Sequence, residues 1–378
     1  MVSLPFPLFI GAQIYRGSSY GALHPLAIPR VPTVIDLCQA LDWLPRAQYR
    51  TSPCAKPAML ETFHTPQYIA ALQAAESAGR VSDLVRDRHQ IGTASNPVFA
   101  EMFRRPTTAA GGSLLAVELL RNGGIVYNPG GGTHHGMPDR ANGFCYLNDP
   151  VLAIQALRRQ GLERIAYVDI DAHHCDGVEA ALAGVDGILL VSTHEERRWP
   201  FTGGLHDRAG GVALNIPLPK GTNDSEFMAL LEAIILPAVA QHRPQAIVFQ
   251  CGADAVLEDP LSRLGLSNTT HWQVALALKT MAPRLLVLGG GRVKPLDCWA
   301  LVERCLGHFE RVCYSGCLAR SRTGGVEAAQ LVAACGTGIG IADNAVRCAA
   351  NRTGARGDLG SYHRLEAASQ RSIFKYYR

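Results

Sequence analysis

Residues 164–177 read Arg-Ile-Ala-Tyr-Val-Asp-Ile-Asp-Ala-His-His-Cys-Asp-Gly, and this stretch decides the fold. Apolar residues and one tyrosine lead directly into alternating carboxylate and imidazole groups, which is typical of a buried strand that ends at a site. Asp169, Asp171 and His173 are spaced two apart, so they share one side of an extended backbone and can converge on a metal ion. A strand followed by an acidic loop is the simpler interpretation of an isolated Asp-x-His. That interpretation leaves the other acidic and imidazole groups of the stretch unexplained.

The composition indicates a large globular protein. The 378 residues are 47% hydrophobic and 18% charged, which allows one large α/β domain or two domains, and no linker divides residues 1–300. The net charge of +4 is small and scattered, so we expect neither direct nucleic-acid binding nor membrane binding. The eleven cysteines lack paired CxxC spacing, which favours free thiols and a cytoplasmic location. The apolar start lacks a basic segment and indicates an entry strand rather than a signal peptide.

Strand-like and helix-like patterns alternate along the chain. Thr65 is the expected cap of one helix, with Pro66 at its first position. This alternation predicts a single-domain α/β fold, with a mainly parallel sheet between helices and a site at the carboxyl ends of the strands. We assign this domain to residues 1–309. The predicted strands are 8–15, 59–64, 125–127, 164–169, 187–192, 246–250 and 285–288, and the predicted helices include 33–41, 107–121, 151–159 and 225–241.

A glycine-rich loop follows the strand at 125–127. Three glycines precede the pair His134 and His135, so the backbone can bend sharply beside two proton carriers. A phosphate cradle is a weak alternative because the Lys-Ser/Thr pair of a P-loop is absent. A surface histidine pair is the commoner alternative, but Gly-Phe-Cys-Tyr-Leu-Asn-Asp follows closely and ends at Asp149, the expected cap of the next helix.

Two later segments add candidates. Asp254 lies just past the strand at 246–250, where it can become a third metal ligand. The loop after the strand at 187–192 carries Trp199-Pro-Phe201-Thr-Gly-Gly, which indicates either a channel lining or a packed lid.

Together these motifs resemble the histone deacetylase family, which includes acetylpolyamine amidohydrolases and acetoin-utilisation proteins. The resemblance covers residues 8–291 and rests on Gly-Gly-x-His-His, Gly-Phe-Cys-Tyr-Leu-Asn-Asp, Asp-x-Asp-x-His-His-x-Asp-Gly and Gly-x-Asp. It implies that Asp171, His173 and Asp254 hold one zinc ion per chain.

The resemblance also implies the catalytic groups. His134 and His135 would be the acid/base pair, backed by Asp169 and Asp176 respectively. A zinc ion held by two carboxylates and one imidazole lowers the pKa of its bound water less than a zinc ion held by three histidines does. A nearby base is therefore needed. Aspartate partners fix the histidine tautomer and raise its basicity.

The resemblance further implies residues that bind the substrate and residues that bind a structural ion. Gly132, Phe144 and Trp199 match the acyl-lysine tunnel, and Arg30 matches a basic residue deeper in the cavity. A K⁺ or Na⁺ site would be built from residues on two strand ends, namely Asp169, Asp171, His173, Ser192 and Thr193.

The chain departs from the family pattern after its last glycine run. The family places a tyrosine there that donates to the developing oxyanion, whereas this chain has Val293, which cannot donate. Losing one such donor typically costs about 100- to 1000-fold in turnover. Residues 310–378 show little periodicity, and six of the eleven cysteines fall in 298–348. A reading frame shifted by one nucleotide from Lys294 permits Asn-Pro-Trp-Thr-Val-Gly-Arg-Trp, so we interpret 310–378 as an atypical, poorly ordered, frameshifted tail.

The leading functional interpretation is a zinc amidohydrolase that removes an acetyl or other acyl group from lysine side chains or polyamines, with activity impaired at Val293. One alternative is a non-catalytic acyl-ligand binder, which a genuine Val293 would favour. The other is a ureohydrolase with two manganese ions, which needs richer Asp-x-His-x-Asp patterns. The expected partners are acylated lysine proteins or acylated polyamines. The sequence leaves the oligomeric state open.

Overall fold

The computed structural model describes residues 6–22, 24–27 and 29–290 of the chain. The predicted boundary at residue 309, the tail at 310–378 and Val293 lie outside these described residues. None of the described helices is both long enough and apolar enough to cross a membrane.

One eight-stranded sheet forms the centre of the described part, and every pairing in it is parallel. The predicted α/β class with a mainly parallel sheet is therefore confirmed. The strand order is β2-β1-β3-β8-β7-β4-β5-β6. The strands are β1 (Leu8–Gly11), β2 (Tyr49–Thr51), β3 (Gly124–Asn128), β4 (Ile165–Asp169), β5 (Ile188–Glu195), β6 (Ala213–Leu218), β7 (Ala246–Gln250) and β8 (Arg284–Leu288).

Helices cover both faces of the sheet. The α-helices are α1 (Ile14–Gly17), α2 (Arg30–Ala40), α3 (Pro57–Leu60), α4 (Pro66–Ala78), α5 (Asp83–His89), α6 (Arg104–Leu119), α7 (Asp149–Arg159), α8 (Asp176–Leu182), α9 (Asp224–Leu230), α10 (Leu236–His242) and α11 (Asn268–Leu278). Short 3₁₀ turns lie at Pro25–Ala27, Arg46–Gln48, Ala209–Gly211 and Ala253–Ala255, and a π-helical turn at Leu231–Ile235 joins α9 to α10.

Side chains alternate between two apolar layers on the central strands. Ala166 and Val168 of β4 join the layer that contains α2, α9 and α11, whereas Ile165 and Tyr167 join the layer that contains α6, α7 and α8. Because both faces are covered, β3, β4 and β7 are buried along their whole length. Their polar groups can therefore emerge only at the strand ends, where the chain leaves the sheet.

Three predicted elements differ from the structure. The strand predicted at 59–64 is wrong, because α3 occupies Pro57–Leu60, with Pro57 at its start. The strand predicted at 8–15 ends at Gly11, and α1 follows it. The helix predicted at 225–241 is divided by the π-helical turn, since a proline at the start of α10 has no N–H to donate. The Thr65 cap of α4 is confirmed, and its side chain accepts a hydrogen bond from the Tyr68 N–H.

Candidate metal centre and active site

Three ligand atoms converge beyond the carboxyl ends of β4 and β7. Asp171, His173 and Asp254 each offer one donor atom, and these atoms lie within 4.8 Å of one another. His173 Nδ1 is 3.1 Å from Asp171 Oδ1 and 3.1 Å from Asp254 Oδ2. The Ala172 N–H donates to Asp254 Oδ1 at 2.9 Å, which ties the loop after β7 to the loop after β4. The three side chains predicted as metal ligands are thus brought together.

The electrostatics of this cluster favour a cation. Burial alone would lower the pKa of His173, but its hydrogen bonds to Asp171 and Asp254 and their charges raise that pKa to about 10. Burial and the charge of Asp254 raise the pKa of Asp171. Two carboxylates that converge on one buried imidazole therefore make this point favourable for a cation. Two carboxylates and one imidazole fit a single zinc ion with an open position for substrate.

A histidine pair faces this cluster from the glycine-rich loop after β3. His134 Nδ1 is 2.7 Å from Asp169 Oδ2, and His135 Nδ1 is 2.6 Å from Asp176 Oδ1. His134 Nε2 lies 3.8 Å from Asp171 Oδ1, so that ring reaches the metal ligands. Each Nδ1 is committed to an aspartate, which leaves each Nε2 for proton transfer.

Further donors fix the aspartate partners. The Tyr167 hydroxyl donates to Asp169 Oδ2 at 2.6 Å, and Asn142 Nδ2 donates to Asp176 Oδ2 at 2.9 Å. Sequence reasoning missed both donors. Tyr167 lies two residues before Asp169 on β4, a spacing that could have identified it, whereas Asn142 gives no such signal.

The two histidines have opposite pKa shifts. Burial would lower the pKa of His134, but the charges of Asp169 and Asp171 raise it to about 9. Burial and the adjacent positive charge of His134 outweigh Asp176 and lower the pKa of His135 to about 4. The two adjacent rings therefore differ in their affinity for a proton, which is higher at His134 and lower at His135.

Asp149 organises the glycine-rich loop and does not cap α7. The side chain of Asn148 is the cap, since it accepts from the Val151 N–H. Asp149 Oδ1 instead accepts from the Gly132 N–H at 3.0 Å and from the Thr133 N–H at 2.8 Å. The predicted role of Asp149 was wrong because Asn and Asp are both good caps and here adjoin each other.

Gly132 also contacts the end of β8. Gln250 Nε2 donates to the Gly132 carbonyl at 3.1 Å and to the Gly289 carbonyl at 2.8 Å. Gly132 has φ +93°, and an added Cβ would lie 1.9 Å from the Gly289 carbonyl oxygen. Gly132 lines the cavity described below, but both its N–H and its carbonyl already have protein partners.

A cavity of about 430 Å³ contains the metal cluster and the histidine pair. Phe144 and Trp199, the two aromatic residues predicted for a substrate tunnel, both line it. The His135 and Trp199 ring centroids are 4.7 Å apart. A Cβ on Gly143 would lie 2.3 Å from the Trp199 ring, so glycine is required for the tryptophan to approach the site.

Two arginines also line this cavity. Arg30, for which a position in the substrate cavity was predicted, lines this cavity and donates to the Gly290 carbonyl at 2.8 Å. Sequence reasoning missed Arg105, whose guanidinium lies 5.4 Å from the Tyr15 ring centroid and 5.1 Å from that of Tyr20. Basic and aromatic side chains thus lie together in the cavity lining.

The residues predicted for a monovalent cation lie on adjacent strands. Asp169 at the end of β4 is in register with Ser192 of β5. Ser192 Oγ is 3.0 Å from His194 Nδ1, and the Thr193 hydroxyl donates to the Asp169 carbonyl at 3.3 Å. All of these groups are buried beside Asp171 and His173.

Solved structures similar to this chain include two described as those of an HDAC homolog. The crystal structure of an HDAC homolog from Aquifex aeolicus has 35% sequence identity and a TM-score of 0.75, and the match covers 80% of this chain and 83% of that chain. Another, an HDAC homolog complexed with SAHA, has 35% identity and a TM-score of 0.76 over the same shares of the two chains.

Curated proteins give the same result. The acetoin utilization protein AcuC of Bacillus subtilis is 31% identical over 310 residues, which are 79% of this chain and 79% of that protein. Histone deacetylase 6 of Arabidopsis thaliana is 35% identical over 282 residues, which are 72% of this chain and only 59% of the plant protein. The histone deacetylase domain family matches residues 24–300. The chain therefore belongs to the histone deacetylase family, as its motifs predicted.

Proposed function

We propose that this chain is a zinc-dependent amidohydrolase that removes an acetyl or other acyl group from a lysine side chain or a polyamine. One observation carries the proposal. Three metal-ligand side chains and two aspartate-backed histidines line a single cavity. Membership of the histone deacetylase family supports it.

Asp171, His173 and Asp254 would hold one zinc ion per chain. When bound, zinc supplies Lewis-acid polarisation of the amide carbonyl and makes water a better nucleophile. Among the described residues, these three form the only cluster of at least three potential ligands, which supports one metal rather than two.

His135 would act as the base and then as the acid. Its neutral Nε2 can accept a proton from the attacking water, and the same proton can pass to the amine nitrogen as the acyl–nitrogen bond breaks. Asp176 holds the His135 ring and stabilises it while it is charged. His134 would remain protonated through Asp169 and contribute positive charge beside the reacting carbonyl. The products are a carboxylate and a free amine.

The cavity walls suit this substrate. The aliphatic stem of an acyl-lysine would pass Gly132, Phe144 and Trp199, and Arg30 would meet the carboxylate product. The proposed K⁺ or Na⁺ site would stabilise the ends of β4 and β5 through the five residues predicted for it. We place the protein in the cytoplasm, since the cysteines of the described residues are all free thiols.

Turnover of the chain as written would be impaired at Val293, about 100- to 1000-fold below that of a chain with the oxyanion tyrosine. If Val293 is genuine, a non-catalytic acyl-ligand binder is the alternative. The di-manganese ureohydrolase requires a second metal site.

The test compares three chains: the chain as written, Val293→Tyr, and a chain with all residues after Gly291 replaced by the shifted reading with tyrosine restored. Metal content and hydrolysis of an acetyl-lysine peptide are measured for each, with His135→Ala as the background control. We expect one zinc per chain in all three and the greatest turnover in the full replacement.

Other outcomes are decisive. Two manganese ions per chain would establish the ureohydrolase alternative. Acyl-peptide binding without turnover in any chain would establish the binder. If the chain as written equals the full replacement in turnover and thermal stability, the frameshift interpretation is wrong.

A further inference from the structure

Three loop segments are tied together at the cavity mouth. The Arg263 N–H donates to Glu195 Oε2 at 2.8 Å, and the Gly221 N–H donates to the Arg263 carbonyl at 2.7 Å. The Glu196 N–H donates to the Leu218 carbonyl at 2.8 Å. Segments 195–198, 218–222 and 263–265 therefore form one connected rim.

This rim carries three exposed cations. Arg197, Lys220 and Arg263 all line the cavity and are all exposed, and the Arg197 side chain is 88% exposed. Within the described part of the chain, no acidic side chain lies within ion-pair distance of Lys220 or Arg263. Arg197 Nε is 3.6 Å from Glu196 Oε1, an exposed pair of the kind that contributes little. The mouth therefore has an excess of positive charge.

The acidic side chains that line the described cavity do not offset this charge. Asp171 and Asp254 belong to the metal cluster. Glu195 is buried, and Arg198 Nη2 donates to its Oε1 at 3.0 Å, while its other oxygen accepts from the Arg263 N–H. All three carboxylates already have cationic or N–H partners, so the exposed rim cations remain to attract a ligand.

The backbone of the rim is strained at one of these three cations. Arg197 has φ +57°, a left-handed conformation that a long side chain adopts only at a cost of about 1 kcal/mol or more. Phe144 and Phe201, which also line the cavity, have φ +68° and +63°. Gln90 and Arg243, by contrast, adopt this conformation at ordinary helix ends. Three non-glycine residues with positive φ thus line the cavity, and Arg197 is one of them.

We infer that Arg197, Lys220 and Arg263 select acyl-lysine substrates whose neighbouring residues are acidic and discriminate against acetylated polyamines. This inference rests on the proposed function and narrows its substrate class. Carboxylates on the residues beside the acyl-lysine would lie over the rim while the acyl group reaches the metal cluster. The free ammonium groups of a polyamine would be repelled by the same three cations.

The test measures binding, so it does not depend on turnover. Fluorescein-labelled acetyl-lysine peptides with aspartate, alanine or lysine flanks are titrated with the zinc-loaded chain by anisotropy, and N-acetylspermidine is used as a competitor. We expect the acidic peptide to bind about 10-fold more tightly than the basic one at low salt, which corresponds to about 1.4 kcal/mol. In 1 M salt the ratio should fall to about 2-fold, because exposed charges are then screened within about 3 Å.

Charge reversal assigns the effect to the rim. Arg197→Glu should reduce the acidic-to-basic ratio to about 3-fold, and Arg197→Glu with Lys220→Glu should reverse it. Arg80→Glu is the matched control, because Arg80 is exposed and does not line the cavity, and its ratio should equal that of the original chain. Each ratio compares two peptides on the same protein preparation. Partial unfolding of a variant would weaken the apparent binding of both peptides equally, so the ratio would not change.

Several outcomes would overturn the inference: equal binding of the three peptides, tighter binding of the basic peptide or of N-acetylspermidine, the same loss of selectivity in Arg80→Glu, or binding of no peptide. Hydrolysis of the neutral alanine-flanked peptide judges the proposed function separately. A chain that hydrolyses this peptide without charge selectivity would retain the function and lose only the inference.

Discussion

Replacing Gly132 by Ala should destabilise the protein far more than the same replacement at Gly161. The two glycines have similar backbone conformations, with φ +93° and φ +86°. They differ in the space around them. A Cβ on Gly132 would lie 1.9 Å from the Gly289 carbonyl oxygen, whereas a Cβ on Gly161 would meet nothing within 4 Å. Gly161→Ala therefore measures the backbone strain alone.

The magnitude follows from these distances. A positive φ costs an alanine about 1 kcal/mol, and this cost is common to both variants. Relieving the clash at Gly132 requires a shift of about 1.5 Å to reach ordinary contact, and such overpacking typically adds 1–3 kcal/mol. Moving the Gly289 carbonyl also disturbs its 2.8 Å hydrogen bond from Gln250, which is worth about 1 kcal/mol. We expect about 1 kcal/mol for Gly161→Ala and about 3–5 kcal/mol for Gly132→Ala.

The assay is urea unfolding of the original chain and both variants, with the free energy of unfolding taken from midpoints at a common slope. Zinc content should also fall in Gly132→Ala, because the Gly290 carbonyl next to the clash accepts from the Ala253 N–H at 3.3 Å, beside Asp254. If the two variants lose the same free energy within about 0.5 kcal/mol, the packing argument is refuted.

Three further predictions concern the site and the acid stability. His135→Ala should abolish hydrolysis and retain one zinc, measured by metal analysis and an acetyl-lysine assay; loss of metal would contradict its role in proton transfer. Asp254→Ala should remove most of the bound zinc, because only two protein ligands remain, and unchanged zinc content would place the third ligand elsewhere. Burial lowers the pKa of His64 from 6.5 to about 4, so the unfolded chain binds the extra proton between these values. As the pH falls from 6.5 to about 4, His64 should therefore lower the free energy of unfolding by up to about 3 kcal/mol. In His64→Gln the melting temperature should depend less on pH within this range. An unchanged pH dependence would exclude His64 as the source.

The ends of the strands were predictable because a buried strand is a run of apolar residues and the residues just after it are polar. The apolar run Ile165–Val168 of β4 leads directly to Asp169, and both the strand and its end are as predicted. Asp254 follows β7 in the same way. The run at 59–64 was misassigned, since a short apolar segment fits a strand or a helix equally well and tertiary packing decides between them.

Contacts between distant segments were not predictable. Glu195 and Arg263 are 68 residues apart, and nothing in either local sequence indicates that the backbone of one would bond the side chain of the other. The same holds for Gln250, which bridges two loops through a single amide. Both are buried or half-buried polar contacts, so their partners are set by the packing of the sheet rather than by local pattern.

The division of labour within the histidine pair also depends on the fold. His134 and His135 are adjacent in the sequence, and the family resemblance implies an acid/base role for both. In the structure both are buried and each is bonded to one aspartate. The structure places a second carboxylate, Asp171, near His134 only, and this extra negative charge raises the pKa of that ring. The resulting positive charge on His134 then lowers the pKa of His135. A single added neighbour is thus enough to separate the pKa values of two similar groups, because burial makes each nearby charge count more.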